Sequence, residues 1–158
     1  MIQRIQTVYF LITAVLIGLM FFFPLATFMG DGSEFRLTAC SFDDITDPAN
    51  PVRYMHTIYL SILLGAAALL PLVIMFLYKR RLLQIRLCFA EIVLLLGALG
   101  FVAYYIYHYS ATMEVFEMSS WKVGLPAVFP LVSIILMVLA LRAVLRDENL
   151  IRSLNRIR

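Results

Sequence analysis

The segment Lys79-Arg80-Arg81-Leu82-Leu83-Gln84-Ile85-Arg86 constrains this chain more than any other. It gathers four basic residues between two long apolar runs. Met55 to Tyr78 carries no charge, and Leu87 to Tyr107 carries only Glu91. About 20 apolar residues suffice for a helix to cross the hydrocarbon core of a bilayer. Two such runs on so short a link form an antiparallel helical hairpin. Short loops rich in Lys and Arg stay in the cytoplasm, so this turn predicts the orientation of everything else.

Composition agrees with that reading. The chain is 63% hydrophobic, against about 45–50% in a soluble domain. Its mean hydropathy is +0.92. Basic residues cluster at Arg4, in the 79–86 turn and from Arg142 onward. Acidic residues cluster at Asp31, Glu34, Asp43, Asp44, Asp47, Glu114 and Glu117. This separation predicts an even number of spans, with both termini cytoplasmic. The basic residues flank spans and have no separate domain to sit on, so nucleic acid is not an expected partner.

The predicted spans are residues 5–29, 55–78, 87–107 and 123–141. The outer loops are 30–54 and 108–122, and the tail is 142–158. The first run is too long for a secretory leader, and Phe28 and Met29 are not a cleavage site. In the first outer loop, Glu34-Phe35-Arg36-Leu37-Thr38 alternates with the period of a half-buried strand. Met113-Glu114-Val115 is placed to pair with it. The tail places Leu150, Ile151, Leu154 and Ile157 on one helical side and Arg146, Asn149, Arg152 and Arg156 on another. The expected fold is therefore an all-α four-transmembrane-helix bundle. It carries a small extracytoplasmic loop cap, at most a short β-hairpin, and a cytoplasmic amphipathic C-terminal helix.

Few residues suggest chemistry. Glu91 is the one acid inside a predicted span, and intramembrane ionisable groups are functional candidates. The simpler reading is a structural ion pair, with Arg142 as its partner at the same depth. His56 and His108 fall at the outer ends of spans two and three. Two histidines facing each other between helices can ligate a haem iron, although two interfacial histidines among tyrosines is the plainer reading. Lys79, Arg80, Arg81, Arg86, Arg146, Arg152 and Arg156 form a basic docking set at the cytoplasmic end. Leu37-Thr38-Ala39-Cys40 fits a lipobox in letters only, because charged residues separate it from the apolar run. Asp43, Asp44 and Asp47 lack the ligand spacing of a calcium loop and read as a solvated turn. Cys40 and Cys88 fall at opposite ends of the predicted topology, too far apart for a disulfide.

Three stretches carry a family resemblance. They are Met1-Ile2-Gln3-Arg4-Ile5-Gln6-Thr7, Leu83-Gln84-Ile85-Arg86-Leu87-Cys88, and Arg142-Ala143-Val144-Leu145-Arg146-Asp147-Glu148-Asn149-Leu150-Ile151-Arg152-Ser153-Leu154-Asn155-Arg156. The chain resembles a family of small four-span inner-membrane proteins of Bacteroidota to which no function is assigned. The resemblance implies the bacterial inner membrane, and no activity, cofactor or catalytic residue. The expected function is a non-enzymatic accessory or scaffolding subunit of an inner-membrane complex. Its partners would be the bilayer and other membrane subunits or further copies of itself. The alternatives are a haem- or quinone-linked redox protein using His56 and His108, and a small ion-coupled transporter component using Glu91.

Overall fold

The computed structural model describes residues 3–30, 33–47, 50–77, 80–114 and 120–155. It contains four helices, α1 Gln3–Leu19, α2 Ile58–Phe76, α3 Arg81–Glu114 and α4 Phe129–Asn155. It also contains five strands, β1 Ala26–Gly30, β2 Ser33–Leu37, β3 Ser41–Asp44, β4 Val52–His56 and β5 Ser120–Val123. A 3₁₀ turn, Leu125–Val128, leads into α4.

The helices pack in a ring, α1 on α2, α2 on α3, α3 on α4 and α4 on α1. Each presents a seam with coiled-coil spacing toward the centre. In α3 the buried positions are Gln84, Cys88, Glu91, Leu95, Ala98 and Val102. In α2 they are Leu60, Leu64, Ala67, Pro71 and Ile74. Steps of four and three keep one helix face inward. Large apolar side chains such as Ile62, Leu69, Phe76, Phe89 and Val93 remain exposed on the outside. Three helices are long and apolar enough to cross a membrane: 58–76, 81–111 and 125–148. α1 is apolar but shorter, with 17 residues or about 26 Å.

The strands overturn the expected small loop cap and with it the all-α bundle. All five form one antiparallel sheet in the order β4-β3-β2-β1-β5. The α1–α2 and α3–α4 connections both contribute, so the sheet is a full layer at one end of the helices. Residues read as the end of span one, Ala26 to Met29, are the second strand from the β5 edge. Met55 and His56, read as the start of span two, belong to the β4 edge. The expected pairing of Met113-Glu114-Val115 with the Phe35 strand also fails. Met113 and Glu114 lie in α3, Val115 lies outside the described residues, and β5 pairs with β1 instead.

One face of this sheet is apolar because opposed residues share a face. Ala26 pairs with Leu37, Leu37 with Phe42 and Phe28 with Phe35. Ala26, Phe28, Leu37 and Phe42 are buried. Phe42 stacks on Tyr109 of α3 with centroids 4.1 Å apart and planes 4° apart. Phe35 stacks on Phe42 at 5.7 Å. A bulge between Phe42 and Asp43 shifts the register against β4, and the Tyr54 ring there meets Phe35 edge-on. The opposite face carries a row across the strands: Lys122, Thr27, Arg36, Asp43 and Arg53.

Hydrogen bonds extend the sheet and tie it to α2. Leu25 donates to Leu37 O at 2.8 Å and accepts from Gly124 N at 2.8 Å. The carbonyl of Ala39 accepts from the hydroxyls of Thr57 and Ser61, at 3.0 and 2.8 Å. Ser61 also bonds Thr57 O, one turn back in its own helix. At Gly124 a Cβ would collide with Pro24 O and lie 3.2 Å from Leu25 O. Both are backbone atoms held by that joint. Gly124→Ala should therefore destabilise the fold by about 1–3 kcal/mol, the range for overpacking. Thermal unfolding in detergent checks this, and an unchanged midpoint would contradict the joint.

Candidate functional site

Glu91 sits on the inward seam of α3 and is 0% exposed. Neither carboxylate oxygen has a hydrogen-bond partner among the described residues. Two hydroxyls of other helices share that state, Thr13 of α1 and Ser133 of α4, both fully buried.

Two hydrogen bonds set the helix registers at the basic end. Gln6 Nε2 donates to Asp147 Oδ2 at 2.7 Å, tying α1 to α4. Gln84 Nε2 donates to Ile74 O at 3.5 Å, tying α3 to α2. A shallow cleft of about 450 Å³ lined by Arg80, Arg81, Leu82, Leu83 and Glu148 joins the start of α3 to α4 at the same level. Two turns inward from these ties, the four seams reach Thr13, Ala67, Glu91 and Ala140.

The expected partner is elsewhere. Arg142 is exposed and makes no hydrogen bond to Glu91. It lies two residues beyond the buried Ala140, which rotates it about 200° around the helix. The depth of the expected pair is reasonable, but the angle is wrong.

The histidines are also placed differently from expectation. His56 lies on edge strand β4, paired with Ser41, rather than at the start of a helix. His108 lies on α3 with its ring against Tyr104 and Tyr109, at 5.7 and 5.6 Å. Both side chains are exposed. They are surface groups, not a pair enclosed between helices. Among the described residues no group of three His, Cys, Asp or Glu is disposed to hold a metal ion. Cys40 is exposed and Cys88 buried, and both are free thiols.

In the basic docking set, Arg80, Arg86 and Arg146 are exposed and Arg81 is half-buried. Arg152 continues α4, so the tail extends the fourth helix instead of forming a separate one. Lys79 and Arg156 lie outside the described residues.

The acidic turn bonds largely within itself, although Asp43 Oδ1 is buried with no hydrogen bond and faces only Arg53. Asp43 accepts from Ser41 Oγ at 2.7 Å and faces Arg53 Nε at 3.6 Å. The Thr46 hydroxyl and then the Thr46 N–H hold the Asp44 carboxyl below its ordinary value of 3.8. Thr46 Oγ1 also accepts from Glu34 N at 3.0 Å, which ties the turn to β2.

Two expectations follow. A group with a lowered folded pKa stabilises above its unfolded value, about 3.9 for Asp, and loses that contribution as pH falls through the folded value. Thr46→Val should raise the Asp44 pKa toward 3.8 in an NMR titration; an unmoved value would contradict the turn. Glu91→Gln and Arg142→Gln should have additive effects on stability. A coupling in the ~0.5–3 kcal/mol range of contacting residues would restore the pair.

Comparison with curated proteins finds no match. The family described as a domain of unknown function (DUF4293) matches residues 2–157, nearly the whole chain, and the protein belongs to that family.

Proposed function

We propose that the protein is a non-enzymatic accessory or scaffolding subunit of a bacterial inner-membrane complex. It crosses the membrane several times, with the basic end and both termini in the cytoplasm and the sheet outside. Three long apolar helices, and the apolar side chains exposed along them, support the membrane part of this reading. The uneven distribution of Lys and Arg supports the orientation.

The observation that carries the scaffold reading is the polar face of the sheet. Lys122, Arg36, Asp43 and Arg53 stand in one row on a sheet whose other face is held by the helices. Lys122 and Arg53 are exposed and Asp43 half-buried. A charged row on a braced platform suits a partner of complementary charge, and charge complementarity chiefly sets specificity and encounter rate. Arg80, Arg86 and Arg146 offer a second, basic surface at the opposite end.

Orientation is tested first. In intact spheroplasts an impermeant thiol reagent should label exposed Cys40. With Cys40 and Cys88 replaced by serine, Arg80→Cys should label only after permeabilisation. The reverse pattern would overturn the orientation. The scaffold reading is tested by extraction in mild detergent. It expects an assembly of fixed composition that Arg53→Glu with Lys122→Glu dissociates while the subunit stays inserted. A solitary monomer in every gentle preparation would reject it.

A further inference from the structure

On the outside of the helical ring, α2 and α3 leave a groove of about 570 Å³ between them. Leu63 of α2 and Ala90, Leu94, Gly97 and Phe101 of α3 line it, and no polar side chain stands among its walls. A Cβ at Gly97 would lie 3.7 Å from Leu63 Cδ2, an ordinary contact. Gly97 is therefore not demanded by close packing of the two helices, and the space beside it is open. Val93 stands 68% exposed at the rim.

The groove has a defined length and a charged end. From Phe89 to Phe101 it follows about 18 Å of helix axis. The hydrocarbon core of a bilayer is about 30 Å thick, so the groove matches one leaflet. A transmembrane helix seated there would leave it for much of its course. Arg86 lies one turn before Ala90, on the same side of α3, about 20° from Gly97 around the axis. Its side chain is exposed and makes no ion pair among the described residues. Of the acids in α3, Glu91 is turned to the inward seam and Glu114 is at the far end. Glu148 of α4 lines the separate cleft with Arg80 and Arg81. An apolar groove one leaflet long thus ends at a cation that has no anion of its own.

We propose that this groove holds one acyl chain of an anionic diacyl phospholipid, with the lipid phosphate on Arg86. The inference rests on the membrane-spanning reading above. A lipid tail is as apolar as a leucine, so the tail is held by fit alone, and the charge pair supplies the selectivity. A guanidinium meets phosphate oxygens through two parallel hydrogen bonds. The ammonium of a zwitterionic headgroup finds no carboxylate on this side of α3, which favours a lipid of net negative charge.

The test uses the full chain in phosphatidylcholine nanodiscs that contain a small fraction of phosphatidylglycerol with a photoreactive diazirine in one acyl chain. Both leaflets carry the probe, so the result does not depend on orientation. After irradiation, mass spectrometry should find adducts concentrated around Val93 and Gly97, above those on the outer faces of α1 and α4. The same label on phosphatidylcholine should give about fivefold less groove adduct, the factor that one basic side chain contributes near anionic lipid. Arg86→Gln should erase that difference. Ala90→Leu and Gly97→Leu fill the groove at two levels, and each should reduce its adducts while those on α4 stay unchanged. Thermal unfolding identifies which of the two remains folded. Adducts spread evenly over the helices, equal yields from the two lipids, or yields that neither leucine changes would overturn the site. Labelling absent from every helix would instead reject the membrane reading beneath it. A Val93→Cys chain, with Cys40 and Cys88 replaced by serine, that oxidises to a disulfide between chains would put a second copy in the groove and overturn the lipid.

Discussion

The stack of Phe42 on Tyr109 is the contact on which the architecture depends. It joins β3, the strand next to the β4 edge of a sheet built from two separate loops, to the longest helix. Phe35 extends the stack across the sheet, and Tyr105 extends it down α3. Aromatic pairs contribute about 0.5–1.5 kcal/mol beyond their buried area. The larger gain is geometric. With Phe28, Leu37 and Phe42 buried on the helix ends, the sheet cannot slip by one residue without turning its apolar set to solvent. The charged row on the opposite face inherits that fixed register.

A second constraint runs along the helices. The steps of four and three that bury one face of each helix also decide which polar groups come inside. Glu91 is buried because Gln84, Cys88, Leu95 and Ala98 are buried on the same seam. Arg142 is outside because it stands two residues from Ala140. The same periodicity leaves Ile62, Phe76, Phe89 and Val93 on the outer surface. The family assignment adds no chemistry to this, so any activity has to be argued from the arrangement itself.

Much of the helical layer is legible in the amino-acid order. The basic residues between Tyr78 and Leu87 mark a hairpin, although α3 already begins at Arg81 and the expected turn is shorter, and apolar runs mark the helices. The sheet is far less visible. Ala26 to Met29 is apolar and continues an apolar run, so hydropathy does not separate it from α1. Pro24 is the local signal of a break, because proline interrupts a helix. β5 is only four residues, and its partner lies over ninety positions earlier in the chain; no local pattern names that pairing. The alternation of Glu34 to Thr38 did reveal β2. Glu91 is conspicuous as a lone acid in an apolar run, but its partner depends on helix rotation, which depth alone does not provide.

The central claim is that the α1–α2 and α3–α4 connections build one sheet, with β1 beside β5. The direct measurement is a disulfide between the opposed positions Thr27 and Lys122. Cysteines placed at these two positions, with Cys40 and Cys88 replaced by serine, lie on adjacent strands and share a face. Gentle oxidation in membranes should join them within one chain, and mass spectrometry of the linked peptides should identify the bond. Free thiols after oxidation, or links formed only between chains, would contradict the sheet and return residues 26–29 to the first span.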